Sequence, residues 1–370
     1  MSRNRKDLRD FAAECDGSSG KRKPSEPVRV VVLTKGVAIG FLAITGLIVL
    51  AVGERDEGTK SDRKHWKGCR KISVDDYVES LAFAPDGRSL AVVTRDGTVT
   101  NWDLVGGRPR FSATWHLAFG VAFSADGSRL AATNSTSAVK VWDAGTGELN
   151  EQLEISGDRL RLLKFAPDGR TLALGGLGGT LVLWDLIEGK IKAKVRAHEQ
   201  LIGAFGYAPG GRIIATGGVD GVVTLWDATT LQRQRSFRAQ RSQITSISFG
   251  SDGQTLATSG CLEASVRIWD PKTGRLLATL QRHASSVPVV AFSPDGTMLA
   301  TADSNGLVKL WETQSWREVV TLPGSKGWLW ALAFSPDGRT LATGGTDRTL
   351  WLWDCSPQAI TRLQGRHTSS

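Results

Sequence analysis

Three residues whose side chains could perform acid–base chemistry lie close together in the middle of this 370-residue chain: His198, Thr216 and Asp220. A carboxylate can orient an imidazole, and an oriented imidazole can accept the proton of a hydroxyl group. This is the arrangement that enzymes use to activate a nucleophile. Trp226 follows shortly afterwards and carries an indole N–H group that only donates. The elements that hold these four side chains decide whether they are reactive or structural.

The rest of the chain lacks the usual signatures of catalysis and of cofactor binding. It contains no Gly-x-Ser-x-Gly, no His-Glu-x-x-His and no glycine-rich phosphate loop ending in Lys-Ser/Thr. The glycine-rich run at 175–179 falls at a predicted strand turn, where glycine supplies backbone freedom. The four cysteines, Cys15, Cys69, Cys261 and Cys355, do not have the spacing of metal ligands. We therefore expect no cofactor and no metal site.

A repeat of about 42 residues is the dominant feature of the sequence. In its clearest copy, residues 198–227, three short apolar runs are separated by two tight turns, which predicts an antiparallel meander of short strands. A tryptophan marks each copy, at intervals of 40, 42, 42, 43, 42 and 42 residues: Trp102, Trp142, Trp184, Trp226, Trp269, Trp311 and Trp353. Because one small sheet cannot bury its own faces, the copies must stack on one another.

These units resemble the WD-repeat β-propeller family over residues 72–366. Six of the marker tryptophans precede Asp, and Trp311 precedes Glu312. The resemblance implies an all-β fold, namely a seven-bladed β-propeller with one four-stranded antiparallel blade per repeat. Together with an apolar segment before the repeats, it indicates a membrane-anchored member of bacterial type. It says little about activity, because one fold hosts many functions.

The same resemblance implies a structural role for the four residues introduced first. Members of the family brace a blade with a buried tetrad of His, Ser or Thr, Asp and Trp. His198, Thr216, Asp220 and Trp226 match all four positions, and the carboxylate would orient the imidazole towards the hydroxyl and the indole N–H. We therefore expect no catalytic residue. We also expect the bracing to be strongest in the fourth blade, because the sixth has Asn305 at the Asp position.

Two segments could close the ring. Residues 359–363 could complete the seventh blade as a local hairpin, or residues 68–74 could supply its outer strand from the other end, which is the common solution in the family. We favour the local hairpin, because Lys71 stands where most copies have an apolar residue. Cys69 and Cys355 flank the two ends of the repeat region, which a ring brings together. Such a ring would allow a disulfide between them, but we expect two thiols.

The chain before the repeats predicts three further segments. Residues 36–53 are eighteen uncharged and mostly apolar residues, enough for a single transmembrane helix; a cleaved signal peptide is the alternative. Residues 1–35 predict a disordered basic leader, and residues 54–71 a charged spacer. Basic residues flank the apolar segment equally. The nine basic residues of the leader nevertheless favour a cytoplasmic tail, and hence an extracytoplasmic propeller on a single-pass membrane protein.

The charge is concentrated before the repeats. Residues 1–71 hold 16 basic and 9 acidic residues, a net charge of +7, whereas the remaining 30 and 28 leave the repeats at +2. So weak a charge gives little support for nucleic-acid binding. We expect a monomeric ring that binds other proteins and contacts the membrane through residues 36–53.

The surface that we predict for partner binding follows from the family resemblance. It places the loops before each first strand and the second-turn loops on one rim of the ring. Tyr, Trp and Arg side chains dominate the energetics of protein interfaces, and this rim contains all three types. The predicted rim consists of Tyr77, Arg95, Leu117, Arg159, Leu201, Gln243, Ser286 and Trp328.

Together these observations favour a membrane-tethered protein-interaction scaffold without catalysis of its own. The alternative is an extracytoplasmic propeller enzyme, of hydrolase or lactonase type, with a metal in the central channel. Such a site needs convergent carboxylates and histidines. Of the five histidines, only His116 lies within the repeats without an assigned position.

Overall fold

The structure is a computed structural model that describes residues 40–44, 47–51 and 69–367. The chain divides into two compact units, Met1–Gly58 and Thr59–Ser370. In the first unit, strands β1 (Gly40–Ile44) and β2 (Leu47–Ala51) pair in antiparallel orientation. The predicted leader, residues 1–35, and residues 54–68 of the predicted spacer lie outside the described residues.

The helix predicted over residues 36–53 is corrected for the ten residues of that segment that the structure describes, because they form β1 and β2. β-branched residues such as Ile44, Ile48 and Val49 favour an extended backbone, and a Thr-Gly pair separates the two runs in the sequence. The periodicity of a short apolar run does not distinguish a helix from strands. Among the described residues, no helix combines the length and the apolar character needed to cross a membrane.

The second unit is a propeller of seven four-stranded antiparallel blades, as the repeat predicted. Its first strand in the chain is β3 (Cys69–Ser73). Blades one to three are β4 (Val78–Phe83), β5 (Ser89–Thr94), β6 (Thr98–Asp103) and β7 (Arg108–Thr114); β8 (Ala118–Phe123), β9 (Arg129–Asn134), β10 (Ala138–Asp143) and β11 (Leu149–Glu154); and β12 (Leu160–Phe165), β13 (Thr171–Gly176), β14 (Thr180–Asp185) and β15 (Lys190–Arg196).

Blades four to seven continue the same order along the chain. They are β16 (Ile202–Tyr207), β17 (Ile213–Gly218), β18 (Val222–Asp227) and β19 (Arg233–Arg238); β20 (Ile244–Phe249), β21 (Leu256–Gly260), β22 (Val266–Asp270) and β23 (Arg275–Leu280); β24 (Val289–Phe292), β25 (Met298–Ala302), β26 (Leu307–Glu312) and β27 (Glu318–Pro323); and β28 (Leu329–Phe334), β29 (Thr340–Gly345), β30 (Thr349–Asp354) and β3. A single helix, α1 (Pro357–His367), follows among the described residues.

The hydrophobic core lies between blades rather than inside any one of them. Ala173 and Leu183 of blade three pack with Ile202, Ile214 and Trp226 of blade four, for example. Both faces of each sheet are therefore covered by neighbours, which is why the strands read as apolar runs. The innermost strands also contact one another in order around the ring, including β28 with β4.

The strand from the start of the repeats closes the ring, so the preference for a local hairpin was wrong. Strand β3 pairs with β30, with Lys71 opposite Trp351 and Ile72 opposite Leu350. Lys71 replaces an apolar residue successfully because its ammonium lies 4.0 Å above the centre of the Trp351 ring, a cation–π contact. Ile72 is buried against Val78 and Leu90 of blade one. The propeller therefore includes Cys69–Lys71, which the sequence placed in the spacer.

Residues 359–363 belong to helix α1 instead of a strand. Pro357 has no N–H to donate to a sheet and is well suited to the first turn of a helix. Ile360 and Leu363 pack on the apolar cluster of blades six and seven. Because β3 already occupies the open edge of β30, the C-terminal segment is left to cover this cluster as a helix.

No disulfide involves Cys355, which is a buried thiol. Cys69 is opposite Trp353 in the ladder, so Cys355, two residues after Trp353 and just past the end of β30, is a diagonal neighbour. Diagonal Cβ atoms are about 7 Å apart, too far for a disulfide without backbone movement. Burial raises the pKa of the Cys355 thiol to about 12, which keeps it in its unreactive protonated form at neutral pH.

Closure by β3 predicts that Ile72→Ala lowers the free energy of unfolding by about 2–4 kcal/mol, because it opens a cavity between blades seven and one. Ser73→Ala, at the exposed neighbouring position, should change it by less than about 0.5 kcal/mol. Urea denaturation followed by tryptophan fluorescence measures both values. Equal stability of Ile72→Ala and the parent chain would contradict the role given to β3.

Candidate functional site

The four tetrad residues of blade four come together as the family resemblance implied. His198 Nε2 lies 2.9 Å from Thr216 Oγ1, and Trp226 Nε1 donates to the same oxygen at 2.9 Å. His198, Thr216 and Trp226 are all buried. Asp220 departs from the expectation of burial, since 48% of its side chain is exposed and its carboxylate lies 3.6 Å from His198 Nδ1. That separation is longer than a hydrogen bond, so the contact is weak.

Burial lowers the pKa of His198, and the charge of Asp220 opposes this effect only in part. The folded pKa therefore lies below the ordinary value of 6.5. At neutral pH the folded protein keeps this imidazole uncharged. As the pH falls below 6.5, the unfolded chain takes up the proton first, so acid favours unfolding. The stabilisation from His198 is thus complete above pH 6.5 and is lost as the pH falls through the lower folded pKa.

Blade six contains the tightest tetrad, which corrects the expectation that blade four would. His283 Nδ1 donates to Asp303 Oδ2 at 2.9 Å, and both side chains are fully buried. His283 Nε2 lies 2.7 Å from Thr301 Oγ1, which also accepts the indole N–H of Trp311 at 2.9 Å. Asp303 accepts backbone N–H groups of the following turn as well. The carboxylate thus comes from residue 303 and not from position 305.

Strand geometry explains this substitution. Side chains two positions apart lie on the same face of a strand, so Asp303 shares the face of Thr301. In blade four the equivalent position is Gly218, where an added Cβ would collide with His198 and Asp220 as they are placed. Blade four therefore has no room for a carboxylate at this position, and Asp220 approaches the imidazole from the turn instead. The sequence carried this signal as Thr-x-Asp, two residues before the expected place.

The remaining blades use other residues at the same positions. Gln240 of blade five lies one repeat, 42 residues, after His198 and occupies the equivalent position. The side-chain amide of Gln240 donates to Thr258 Oγ1 at 3.1 Å. The Trp269 and Trp353 indoles donate to Thr258 and Thr343 respectively. Blades one to three have apolar residues where these threonines stand: Val92, Ala132 and Leu174. Among the described residues, a threonine thus accepts the indole N–H of the marker tryptophan only in blades four to seven.

The tetrads are structural groups. Thr216 and Thr301 have no exposed surface, and each accepts an indole N–H, so no substrate could reach their hydroxyl groups. Among the described residues, no group of three or more His, Cys, Asp and Glu side chains is placed to hold a metal ion.

Backbone hydrogen bonds assemble the predicted rim. In five blades the N–H of a second-turn residue donates to the carbonyl group of the residue before the first strand. The pairs are Arg95 with Tyr77, Ser135 with Leu117, Leu177 with Arg159, Ser304 with Ser286 and Thr346 with Trp328. The two sets of loops therefore lie side by side, at the end of each blade opposite the first turns.

The predicted rim residues differ in how much surface they present. Leu201 and Gln243, in blades four and five, are buried. Arg159 and Leu117 are exposed, and the other predicted rim residues are half-buried: Tyr77, Arg95, Ser286 and Trp328. We use the name rim sector for the five of blades seven, one, two and three: Trp328, Tyr77, Arg95, Leu117 and Arg159.

The rim sector carries both backbone strain and stacked side chains. Leu117 has a φ of 62°, in the left-handed region that a bulky residue seldom adopts, and its side chain is 43% exposed. Two guanidinium groups lie near the Tyr77 ring, with Arg95 Cζ at 5.7 Å and Arg348 Cζ at 5.6 Å from its centre. Trp328 stacks on Trp330 with ring centres 5.0 Å apart.

Comparison with known families agrees with this architecture. The family described as IFT122 first beta-propeller matches residues 159–370, and the family described as WD domain, G-beta repeat, matches residues 68–103. The chain is thus a WD-repeat β-propeller. Because the first match spans more than half of its length, the chain belongs to the IFT122 first β-propeller family.

A search of curated proteins found no match to the chain. WD-repeat propellers of this type are generally non-catalytic protein-interaction scaffolds. Neither family match bears on membrane anchoring or on a bacterial origin.

The two carboxylates allow a matched comparison. Asp303→Asn should lower the free energy of unfolding by about 2–4 kcal/mol, because it removes a buried charge-assisted acceptor from His283 and from the turn. Asp220→Asn should lower it by less than about 1 kcal/mol, because that carboxylate is half exposed. Urea denaturation at pH 7.5 measures both. A larger decrease in the free energy of unfolding for Asp220→Asn than for Asp303→Asn would show that the tetrad of blade four is the stronger one.

Blade five suggests a second test, since it uses glutamine where blade four uses histidine. His198→Gln should stay within about 1 kcal/mol of the parent chain at pH 7.5, whereas His198→Ala should lose about 1–3 kcal/mol. Between pH 6.5 and pH 5, the parent chain should lose more stability than His198→Gln, which does not titrate. Urea unfolding at pH 7.5, 6.5, 5.8 and 5.0 gives the slopes. Identical slopes would contradict the lowered pKa of His198.

Proposed function

We propose that this propeller is a protein-interaction scaffold whose partner binds the rim sector of blades seven, one, two and three. The observation that carries the proposal is Leu117, a large apolar side chain that a strained backbone holds at the surface. Strain of this kind is expected where a surrounding structure maintains it for function. Non-polar side chains at the centre of an interface, surrounded by polar ones, are typical of protein recognition.

The neighbouring side chains support the same surface. Tyr77 and Arg159 flank Leu117 along the ring, and Trp328 lies one blade beyond Tyr77. Tyr, Trp and Arg are the residues enriched at binding hot spots. The cation–π contacts of the Tyr77 ring with the Arg95 and Arg348 guanidinium groups favour this arrangement of the three side chains before a partner arrives. Restricted side chains lose less conformational entropy on binding, which raises affinity.

Blades four and five contribute less to this surface. Their residues before the first strands, Leu201 and Gln243, are buried, although Leu262 in the second turn of blade five is 61% exposed. The extracytoplasmic location of the propeller stays a prediction from the sequence, since it rests on residues 1–35, which lie outside the described residues.

The proposal is tested by site-specific photo-crosslinking of the full chain in its native cells. Benzoylphenylalanine at the rim position Arg159 should give a crosslinked protein that is absent when the same group replaces Pro336, an exposed residue of a first turn on the opposite face. Mass spectrometry identifies the product. The same crosslinked protein from both positions, or products only from Pro336, would contradict binding at the rim sector.

A second variant separates binding from folding. Leu117→Gly relieves the left-handed strain and removes the exposed side chain, so it should leave the free energy of unfolding within about 1 kcal/mol of the parent value. It should weaken binding of the identified partner at least tenfold by calorimetry. Unchanged affinity would remove Leu117 from the interface.

A further inference from the structure

The innermost strand of most blades contains a residue that is displaced from the sheet register. In blade three Leu160 pairs with Gly176 and Leu162 with Gly175, so that Arg161 is left without a partner position in β13. A register shift of this kind re-aims a side chain and occurs at the start of six of the seven innermost strands. The residues that follow the first buried position are, in blade order, Glu79, Phe119, Arg161, Gly203, Thr245, Pro288 and Trp330.

These residues form a ring around the axis of the propeller, two positions inward from the rim residues. Side chains at this level reach the next blade: Arg161 Cζ lies 3.5 Å from the centre of the Phe119 ring. The Thr245 hydroxyl donates to the Pro288 carbonyl group at 2.9 Å. The side chains at these seven positions are large in blades seven, one, two and three and small in blades four, five and six. The mouth of the central channel, which these positions surround, is therefore asymmetric.

Arg161 is a buried cation whose hydrogen bonds are incomplete. Its side chain is only 8% exposed, and its Nε makes no hydrogen bond to any residue in the described part of the chain. It forms no ion pair with the described residues either, although Glu79 acts on it through its charge. Burial lowers the pKa of Arg161 to about 10, so it remains charged at neutral pH. A charged group held in this way destabilises a folded chain unless something else binds it.

The charges around Arg161 leave a positive excess. Arg159 adds a second positive charge beside it, and Arg95 a third near Glu79. The opposing carboxylates are Glu79 and Asp76. Asp76 also lies 3.9 Å from the guanidinium of Arg348. Burial raises the pKa of Glu79, which the nearby arginines counteract only in part. Four arginines thus face two carboxylates, so a carboxylate from a partner would reduce the positive excess.

We propose that the channel mouth beside Arg161 binds an Asp or Glu side chain from an acidic segment of a partner protein. The two Nη groups at the end of a guanidinium form a fork that fits the two oxygens of a carboxylate. Stacking on Phe119 fixes the plane of that fork. The inference rests on the proposed scaffold function and names the chemistry of the partner segment that enters the ring.

The test measures binding of two fluorescein-labelled peptides to the full chain by anisotropy at low ionic strength. One peptide is four Gly-Glu repeats and the other is four Gly-Gln repeats. The parent chain should bind the Glu peptide at least tenfold more tightly than the Gln peptide. Arg161→Gln should bind both peptides equally, and Arg161→Lys should recover only part of the preference, because it keeps the charge and loses the fork. Arg233→Gln, an exposed arginine on the outer strand of blade four, should behave as the parent chain.

Stability provides an independent readout. Arg161→Gln should melt at the same temperature as the parent chain or higher, because it removes an unpaired buried charge. Equal binding of the two peptides by the parent chain, or an unchanged preference in Arg161→Gln, would overturn the inference. Displacement of the Glu peptide by inorganic phosphate at equal concentration would also overturn it, in favour of a free anion. The rim crosslink from Arg159 would survive in any of these cases, so the scaffold function is tested separately.

Discussion

Every blade depends on a layer in which a large aliphatic side chain, an alanine and a tryptophan meet. The second strand of each blade carries Leu or Ile followed by Ala, and all fourteen of these side chains are fully buried. The pairs are Leu90–Ala91, Leu130–Ala131, Leu172–Ala173, Ile214–Ala215, Leu256–Ala257, Leu299–Ala300 and Leu341–Ala342. The register places the large residue opposite the marker Trp in every blade. Because alanine is small, adjacent sheets approach closely, and the sealed ring covers all seven sheets.

The polar residues are variations on this layer, and they divide the ring into two parts. Blades four to seven have a threonine that accepts the Trp indole N–H, with Asp303 supplying the strongest support in blade six. Blades one to three have apolar residues there, and the indole N–H groups of Trp102 and Trp184 are buried without a partner among the described residues. Buried polar atoms without a partner among the described residues occur on the other side as well, for example Tyr207 Oη in blade four and Ser259 Oγ in blade five. The division of the ring therefore concerns the support of the marker tryptophans alone.

The sequence predicted the blade count, the strand order and the tetrad of blade four, because periodic tryptophans and turns fix a register that depends on local spacing alone. It did not predict closure by β3, since Lys71 replaces an apolar residue through a contact with Trp351 that exists only after folding. The role of Asp303 was not predicted, because the family pattern places the carboxylate in the second turn, at position 305. Asp303 instead shares the face of Thr301, two residues before it. Arg161 was missed because a register shift re-aims it, and no sequence pattern marks that shift. The helix over residues 36–53 was predicted from the length of the apolar segment, a property that a pair of apolar strands can share.

The central claim is that a strand from the start of the repeats seals the seventh sheet against the first. Hydrogen–deuterium exchange of the full chain, read by mass spectrometry, tests it most directly. In a sealed ring, peptides that cover Cys69–Ser73 exchange as slowly as the other outer strands, such as Arg233–Arg238 and Arg275–Leu280. Exchange of Cys69–Ser73 at the rate of an unfolded peptide, with the other outer strands protected, would show an open ring and contradict the account.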